Sequence, residues 1–309
     1  MSRSLVIGSR GSKLALWQAE QARARLLALY PEIDVRIEII KTTGDVKTDP
    51  LSVIGGKGVF TKELEDALLD GRIDLAVHSL KDLPTVLPDG LTISAICKRD
   101  DPRDALVVRD DLKRRSGSIL NLPEKAVVGT SSQRRVAQLK ALRGDFIVRD
   151  VRGNVDTRLR KLDEGQYDAL ILASAGLRRL ELEDRINAVI SPEEMVPAVG
   201  QGAIAIETRA DDQFAIETTG DLDHEETRLC CLAERAFLRS LGGGCQFPIA
   251  GHAIINEDLL KLDGLVSTPD GAKILRDKLS GAPDNAEAIG SQLAAKLIDL
   301  GANSLLNPR

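Results

Sequence analysis

The chain has 309 residues, 43% of them hydrophobic, and a formal net charge of -5. That length suits two or three domains better than one, and a mildly acidic balance argues against nucleic acid or a membrane surface as a partner. Aromatic residues make up only 3%, so Leu, Ile, Val and Ala must fill most of the core. The four cysteines, Cys97, Cys230, Cys231 and Cys245, are too few at this length for a disulfide framework. Cys230 and Cys231 are adjacent and point apart on a helix. A reducing, cytoplasmic setting is expected. The basic start has too short an apolar run for a signal segment, and no window offers the roughly 18 uncharged apolar residues of a membrane span.

In chain order, "SLVIGSR" predicts a short buried strand. Ser12 then caps a helix from Lys13 to Tyr30, which Pro31 stops. "DVRIEII" alternates like a strand. The stretch from Lys41 to Gly58 is polar, glycine-containing and weakly patterned, and reads as a mobile loop. Thr61 is placed to cap "KELEDALLD", with Phe60 stapled against Leu64, and "IDLAVHS" follows as a strand. This alternation predicts parallel βαβ units.

A second α/β unit begins near Asp104. Its strands are "AVVGT", "DFIVRDV" and "YDALILA", and its helices are "SSQRRVAQLKAL" and "DTRLRKLDEG". "GAIAIET" is one further strand. "EETRLCCLAERAFLRSL" is a strong helix stopped by Gly242. Strand-like "PIAGHAII", "LLKLDGLVS" around an Asp-Gly turn, and a last helix through "AEAIGSQLAAKLIDL" predict a separate α+β domain with an antiparallel sheet.

Four constellations carry possible chemistry. "HSLKDLP" leaves the carboxyl end of a buried strand, where open sheets bind ligands. Lys81 and Asp82 there are either a solvated connector or a site where Asp82 manages protons or cationic charge. "GTSSQRR" joins a strand to a helix start. Thr130, Ser131, Ser132, Arg134 and Arg135 make it an anion site or merely a capped surface helix. It lacks the nucleotide P-loop pattern.

"RDVRGNVDTRLRK" crowds Arg149, Arg152, Arg158 and Arg160 around a strand end and a helix start. Such a cluster in an acidic chain suits carboxylates or phosphates, although Arg149 and Asp150 could simply pair at the surface. Arg10 and Lys13 add positive charge near the first strand-helix junction, and one of Arg178 and Arg179 is expected to face the same cleft. The fourth constellation is "LGGGCQFPIA". Cys245 follows three glycines and a helix carboxyl end, whose dipole does not favour a thiolate. It is either a reactive thiol activated by basic neighbours or a passive one. The histidines, His78, His224 and His252, form no metal motif.

Taken together, "GSRGSKLALWQA", "GGKGVFTKELEDALLDGRIDLAVHSLKDLP", "VVGTSSQRRVAQL", "VRGNVDTRLRKLD", "PAVGQGAIAIE" and "LGGGCQFPIAG" resemble the porphobilinogen deaminase family nearly end to end. The resemblance implies two α/β domains of the type II periplasmic-binding kind and a small α+β C-terminal domain with an antiparallel sheet. Their expected extents are residues 1–99 with 200–219, 104–195, and 222–309, the strand "GAIAIET" returning to the first. It implies a transferase of porphyrin, tetrapyrrole and heme biosynthesis that joins four porphobilinogen molecules head to tail, each with loss of ammonia, on a dipyrromethane cofactor held by a thioether to Cys245. Water then releases linear hydroxymethylbilane. Porphobilinogen and water are the only partners implied, and the chain is expected to be monomeric.

By position in the matched motifs, Asp82 is the catalytic carboxylate. Arg10, Ser12, Lys81, Thr130, Ser132, Arg134, Arg135, Arg152, Arg158 and Arg179 match cofactor- or substrate-binding positions. Arg149 supports that cluster, and Lys57 matches the mobile loop. Gly242 departs from the family's frequent Glu and leaves the cysteine loop less constrained. The competing reading is a non-catalytic solute-binding protein, which the glycine-flanked cysteine argues against. A generic anion-utilising α/β enzyme is a weaker third.

Overall fold

The computed structural model describes residues 4–43, 60–115, 117–243 and 247–306. Lys57 and Cys245 lie outside the described residues. Contacts divide the chain into two units, Met1–Asp100 with Ala203–Arg228, and Asp101–Gly202 with Leu229–Arg309.

In the first unit β1 (Ser4–Ser9), α1 (Lys13–Leu29), β2 (Asp34–Ile39), α2 (Lys62–Leu69), β3 (Leu75–Ser79) and β4 (Leu91–Ile96) follow the predicted alternation. The Ser12 hydroxyl accepts from the Ala15 N–H at 3.3 Å and starts α1 as the sequence suggests. β1 pairs in parallel with both β2 and β3. The late strand β10 (Ile204–Arg209) then inserts antiparallel between β3 and β4, giving the order β2-β1-β3-β10-β4. The core of this unit, including Leu5, Ile7, Leu26, Leu75 and Ile206, is aliphatic as composition requires. α6 (Gln213–Gly220) lies within the same stretch of chain.

The second unit holds two sheets. Its first contains β5 (Asp104–Val108), β6 (Val127–Gly129), β7 (Ile147–Arg149), β8 (Ala169–Ala173) and β9 (Ala188–Val189) in the order β7-β6-β8-β5-β9. Here too four strands share one direction and one, β5, inserts antiparallel. A purely parallel expectation therefore misses one strand in each sheet. The helices are α3 (Gln133–Leu142), α4 (Val155–Asp163) and α5 (Ser174–Arg179).

Its second sheet is the antiparallel meander β11 (Ile249–Asn256), β12 (Leu259–Ser267) and β13 (Ile274–Gly281). It packs with α7 (Glu225–Ser240), α8 (Ala286–Asp299) and α9 (Ala302–Leu306) around Phe237, Leu262, Val266 and Leu293. α7 ends as predicted: Gly242 adopts φ +64, a left-handed cap that a side chain would strain.

Two local expectations are corrected. Thr61 occupies the N-cap of α2, but its hydroxyl makes no capping bond; it is buried beside Glu65 instead. Asp263-Gly264 is no turn, because β12 runs straight through it. The hairpin turns at Glu257 and Asp258, both at positive φ, as a two-residue hairpin loop requires. Gly264 serves packing: a Cβ there would lie 2.7 Å from the Phe237 ring and 2.8 Å from Leu293. Gly264→Ala is therefore expected to destabilise the protein by about 1–3 kcal/mol, read as a lower urea midpoint. Gly220→Ala, where the new Cβ meets nothing within 4 Å, should leave the midpoint unchanged or slightly raised.

Candidate active site

The carboxyl ends of neighbouring parallel strands β1 and β3 open on one edge of the first sheet, the usual ligand edge of such folds. Arg10 and Ser12 follow β1, and a single 3-10 turn, Leu80–Asp82, follows β3. Leu80 and Leu83 are buried, and the Leu80 N–H donates to the Ala203 carbonyl at 3.0 Å. These anchors pin the turn, leaving Lys81 half-buried and Asp82 exposed. The apolar positions thus explain how a charged Lys-Asp pair can be held at a fixed place.

Arg10, Ser12, Gln18, Thr61, His78 and Asp82 line one pocket, with about 410 Å³ of empty space that includes its open mouth. The Arg10 guanidinium lies 4.3 Å from the centre of the Phe60 ring, a cation–π contact that orients it. Gln18 donates to the Ser79 hydroxyl at 2.8 Å. Sequence reading singled out Arg10, Ser12 and Asp82 but missed Gln18 and Phe60, whose contributions depend on tertiary contacts rather than on any local motif.

In the second unit β6 ends at Gly129, whose Cβ would lie 2.5 Å from Leu170. Glycine is needed there for strand packing. Thr130 is buried, its N–H donates to the Arg149 carbonyl at 3.0 Å, and its hydroxyl accepts from the Ser132 N–H at 3.3 Å. Arg149 is exposed. Arg152 donates to Asp150 and Arg158 to the Gly153 carbonyl, each at 2.7 Å.

Arg134 and Arg135 differ from the simple picture of forks held out to a ligand. Both are buried against Asp104, which has no exposure at all. The Arg134 Nη1–Asp104 Oδ2 and Arg135 Nη2–Asp104 Oδ1 distances are both 2.7 Å. Arg134 also donates to the Val196 carbonyl, Arg135 to that of Ile171, and the Gln201 amide to Asp104. A desolvated carboxylate needs this many donors. Burial pushes the Asp104 carboxyl up, but the two guanidinium groups overcome it and hold the group well below the ordinary carboxylate range.

Of the neighbouring pair, Arg179 is buried and donates to the Gly202 carbonyl at 2.6 Å, whereas Arg178 is exposed. Asp104 and Gln201 were missed from sequence; an Asp opening an apolar strand was the available signal. Among the described residues no group of metal-ligating side chains converges.

A family model described as "Porphobilinogen deaminase, dipyromethane cofactor binding domain" matches residues 5–217, and one described as "Porphobilinogen deaminase, C-terminal domain" matches 228–299. The chain belongs to the porphobilinogen deaminase family. It is 53% identical to the porphobilinogen deaminase of Nitrosomonas europaea, over 98% of this chain and 97% of that one. It is 52% identical to that of Chromobacterium violaceum, over 98% and 96%. It is 47% identical to that of Chlorobium phaeovibrioides, over 99% and 98%.

As a porphobilinogen deaminase the chain is a transferase of tetrapyrrole, porphyrin and heme biosynthesis. It condenses porphobilinogen stepwise through a dipyrromethane cofactor. The residues present suit that group by their chemistry. Its pyrrole rings carry acetate and propionate chains, and both units offer arginines with hydroxyl and backbone N–H donors at strand ends, while in the first unit the exposed carboxylate of Asp82 lines one pocket with Arg10 and Ser12.

The buried cluster yields a stability prediction. Asp104→Asn should cost about 3–5 kcal/mol in urea unfolding, because it leaves two buried guanidinium groups undercompensated. The folded-state value of Asp104 is depressed, so its contribution is full above the ordinary Asp range and lost as pH falls through the folded value. The wild-type advantage over Asp104→Asn should therefore be constant between about pH 5 and 7 and shrink only in strong acid.

Proposed function

We propose that Asp82 is the acid–base and charge-stabilising carboxylate of the condensation in this chain, and that Cys245 carries the dipyrromethane through a thioether. The observation that carries the first assignment is the placement of Asp82. It is exposed on a turn pinned by Leu80 and Leu83, in one pocket with Arg10 and Ser12. A carboxylate so placed can deliver a proton to the departing amine, hold against the positive charge that develops on pyrrole nitrogens, and take up the proton released as each carbon–carbon bond forms. The second assignment rests on the glycine-flanked cysteine of "LGGGCQFPIAG" and on family membership.

When bound, the dipyrromethane supplies the pyrrole carbon to which the first porphobilinogen is joined. Arg10, Ser12 and Lys81 in the first unit, with Thr130, Ser132, Arg149, Arg152 and Arg158 in the second, are the groups we assign to acetate and propionate side chains. Guanidinium forks match carboxylates in a way that point charges do not. Arg134, Arg135 and Arg179 act in this scheme from buried, anchored positions, Arg134 and Arg135 against Asp104 and Arg179 on the Gly202 carbonyl. Lys57 is assigned, from its motif alone, to the family's mobile loop. Water releases the linear product.

The three-domain division made from the sequence is retained, supported by three separate sheets. We place the chain in the cytoplasm, on the evidence that Cys97, Cys230 and Cys231 are buried thiols rather than half-cystines. Among the described residues no helix is long and apolar enough to cross a membrane. With a net charge of -5, no nucleic-acid partner is proposed, nor any obligate protein partner.

Intact-mass measurement of purified protein should exceed the polypeptide mass by one dipyrromethane. The excess should be absent from Cys245→Ala, and an unmodified wild type that turns over would remove the tether. Asp82→Asn should retain the cofactor mass and the fold while kcat falls by about 100-fold or more. Normal turnover would take Asp82 out of the reaction.

A further inference from the structure

Behind the wall of the pocket in the first unit lies a buried polar cluster with no role in the scheme so far. His78, on β3, lines the pocket and is 5% exposed; Glu207, on β10, has no exposure. The two strands are antiparallel neighbours, with Ala205 opposite His78 and Glu207 opposite Ala76. Both side chains therefore share one face of the sheet. His78 Nε2 and Glu207 Oε2 are 3.0 Å apart, yet neither completes a well-aligned hydrogen bond, and Glu207 Oε1 has no partner either. Glu65 and Thr61, from the first turn of α2, are buried beside them, and Glu65 Oε1 and the Thr61 hydroxyl are likewise without a well-aligned bond.

A purely structural ion pair would be expected to satisfy its polar atoms. The Asp104 carboxylate of the second unit has both of its oxygens bonded, and in its cluster Arg134 Nε alone lacks a well-aligned bond among the described residues. Buried groups left under-satisfied beside a reaction pocket call for another explanation. Two carboxylates and an imidazole are thereby brought together in one dry site. Burial pushes the Glu65 carboxyl up; the Thr61 hydroxyl opposes this, Glu207 pushes it further, and His78 opposes. The groups around His78 are Glu207 from β10 and Glu65 from α2, with Asp66 next along the helix, and Arg10 and Asp82 line the same pocket. Glu63 is turned away to Thr43, and Arg209 is engaged by Asp74 and Asp212.

We propose that His78 is a positioning residue for the condensation, a pocket-wall imidazole whose orientation is fixed by Glu207 and which sets the field in which Asp82 works. This rests on the assignment of Asp82 above. The repeated loss of ammonia and of a ring proton demands that Asp82 alternate between giving and taking a proton. An imidazole backed by a carboxylate is a group whose proton can respond to each change. Thr61 belongs both to the pocket lining and to the cluster, so it gives the two a common wall.

Glu207→Gln keeps the size of the side chain and removes its charge. In the holoenzyme it should lower kcat about tenfold or more, leave KM within about twofold, and displace the pH–rate profile, with the dipyrromethane mass retained. Glu207→Asp should recover part of the loss. Nitrogen-15 spectra of histidine-labelled wild type should show the His78 ring signals move when one equivalent of porphobilinogen is loaded, a readout independent of whether Glu207→Gln folds well. Ring signals that stay fixed on loading would overturn the proposal. So would a Glu207→Gln enzyme with wild-type kcat and pH profile, or one whose only defect is a lower melting temperature. A wild type that releases no ammonia from porphobilinogen would instead remove the reaction reading, and this proposal with it.

Discussion

A carboxylate taken wholly out of water must be met by cations and donors, and Asp104 shows how much structure that requirement organises. It opens β5, so its backbone belongs to the sheet. Its oxygens hold Arg134 and Arg135 from the first turn of α3 and the amide of Gln201. Those arginines in turn bind the carbonyls of Val196 and Ile171. One buried charge therefore fixes a strand start, a helix start, the middle of β8 and two loop segments. Removing a partner would strand the others in a low-dielectric site, which is why such clusters are rigid even when their net contribution to stability is modest.

The two larger sheets solve the same geometric problem twice. In each, four strands share one direction and one enters antiparallel between two of them, β10 between β3 and β4 and β5 between β8 and β9. An antiparallel strand begins where its neighbour ends. The register shows this, with Ile204 opposite Ser79 and Asp104 opposite Ala173. Each inserted strand also carries one buried acid, Glu207 or Asp104. In the second sheet the acid stands at the strand start and is saturated by arginines. In the first it lies three residues along β10 and meets an imidazole without full satisfaction. The same architecture thus gives one fully bonded carboxylate and one that meets its partner with incomplete hydrogen bonding.

Most elements were legible because their signals are local. Ser12 caps α1, Gly242 ends α7, and the Leu-rich strands stand where their apolar runs placed them. The failures share a cause. Gly264 looked like a turn residue next to Asp263, but its lack of a Cβ is used against Phe237, 27 positions away in sequence. Thr61 had the right type and spacing for a cap, yet burial beside Glu65 decided its rotamer. Arg134 and Arg135 read correctly as a paired cationic motif at a strand-helix junction. That Asp104 would claim them depends on the antiparallel insertion of β5, which no periodicity shows. The exposed Asp82 was legible because its motif is contiguous. His78 and Glu207 were not, because their pairing is set by the register of strands more than a hundred residues apart.

A division of labour among the charged groups follows from burial alone. Arginines already committed to a buried carboxylate cannot adjust to a ligand that grows, but they can hold a helix start and its neighbouring hydroxyls in place. Arginines at the surface, such as Arg149, keep the freedom to adjust. Net charge hides this division, since an overall -5 says nothing of where each charge stands. A catalyst that must grip a lengthening polyanion needs both kinds of cation, together with one carboxylate that remains exposed enough to trade protons. With Asp82 in the role proposed for it, Leu80 and Leu83 make that last requirement compatible with order. Their burial costs Asp82 none of its access to water, and it fixes the backbone on either side of it.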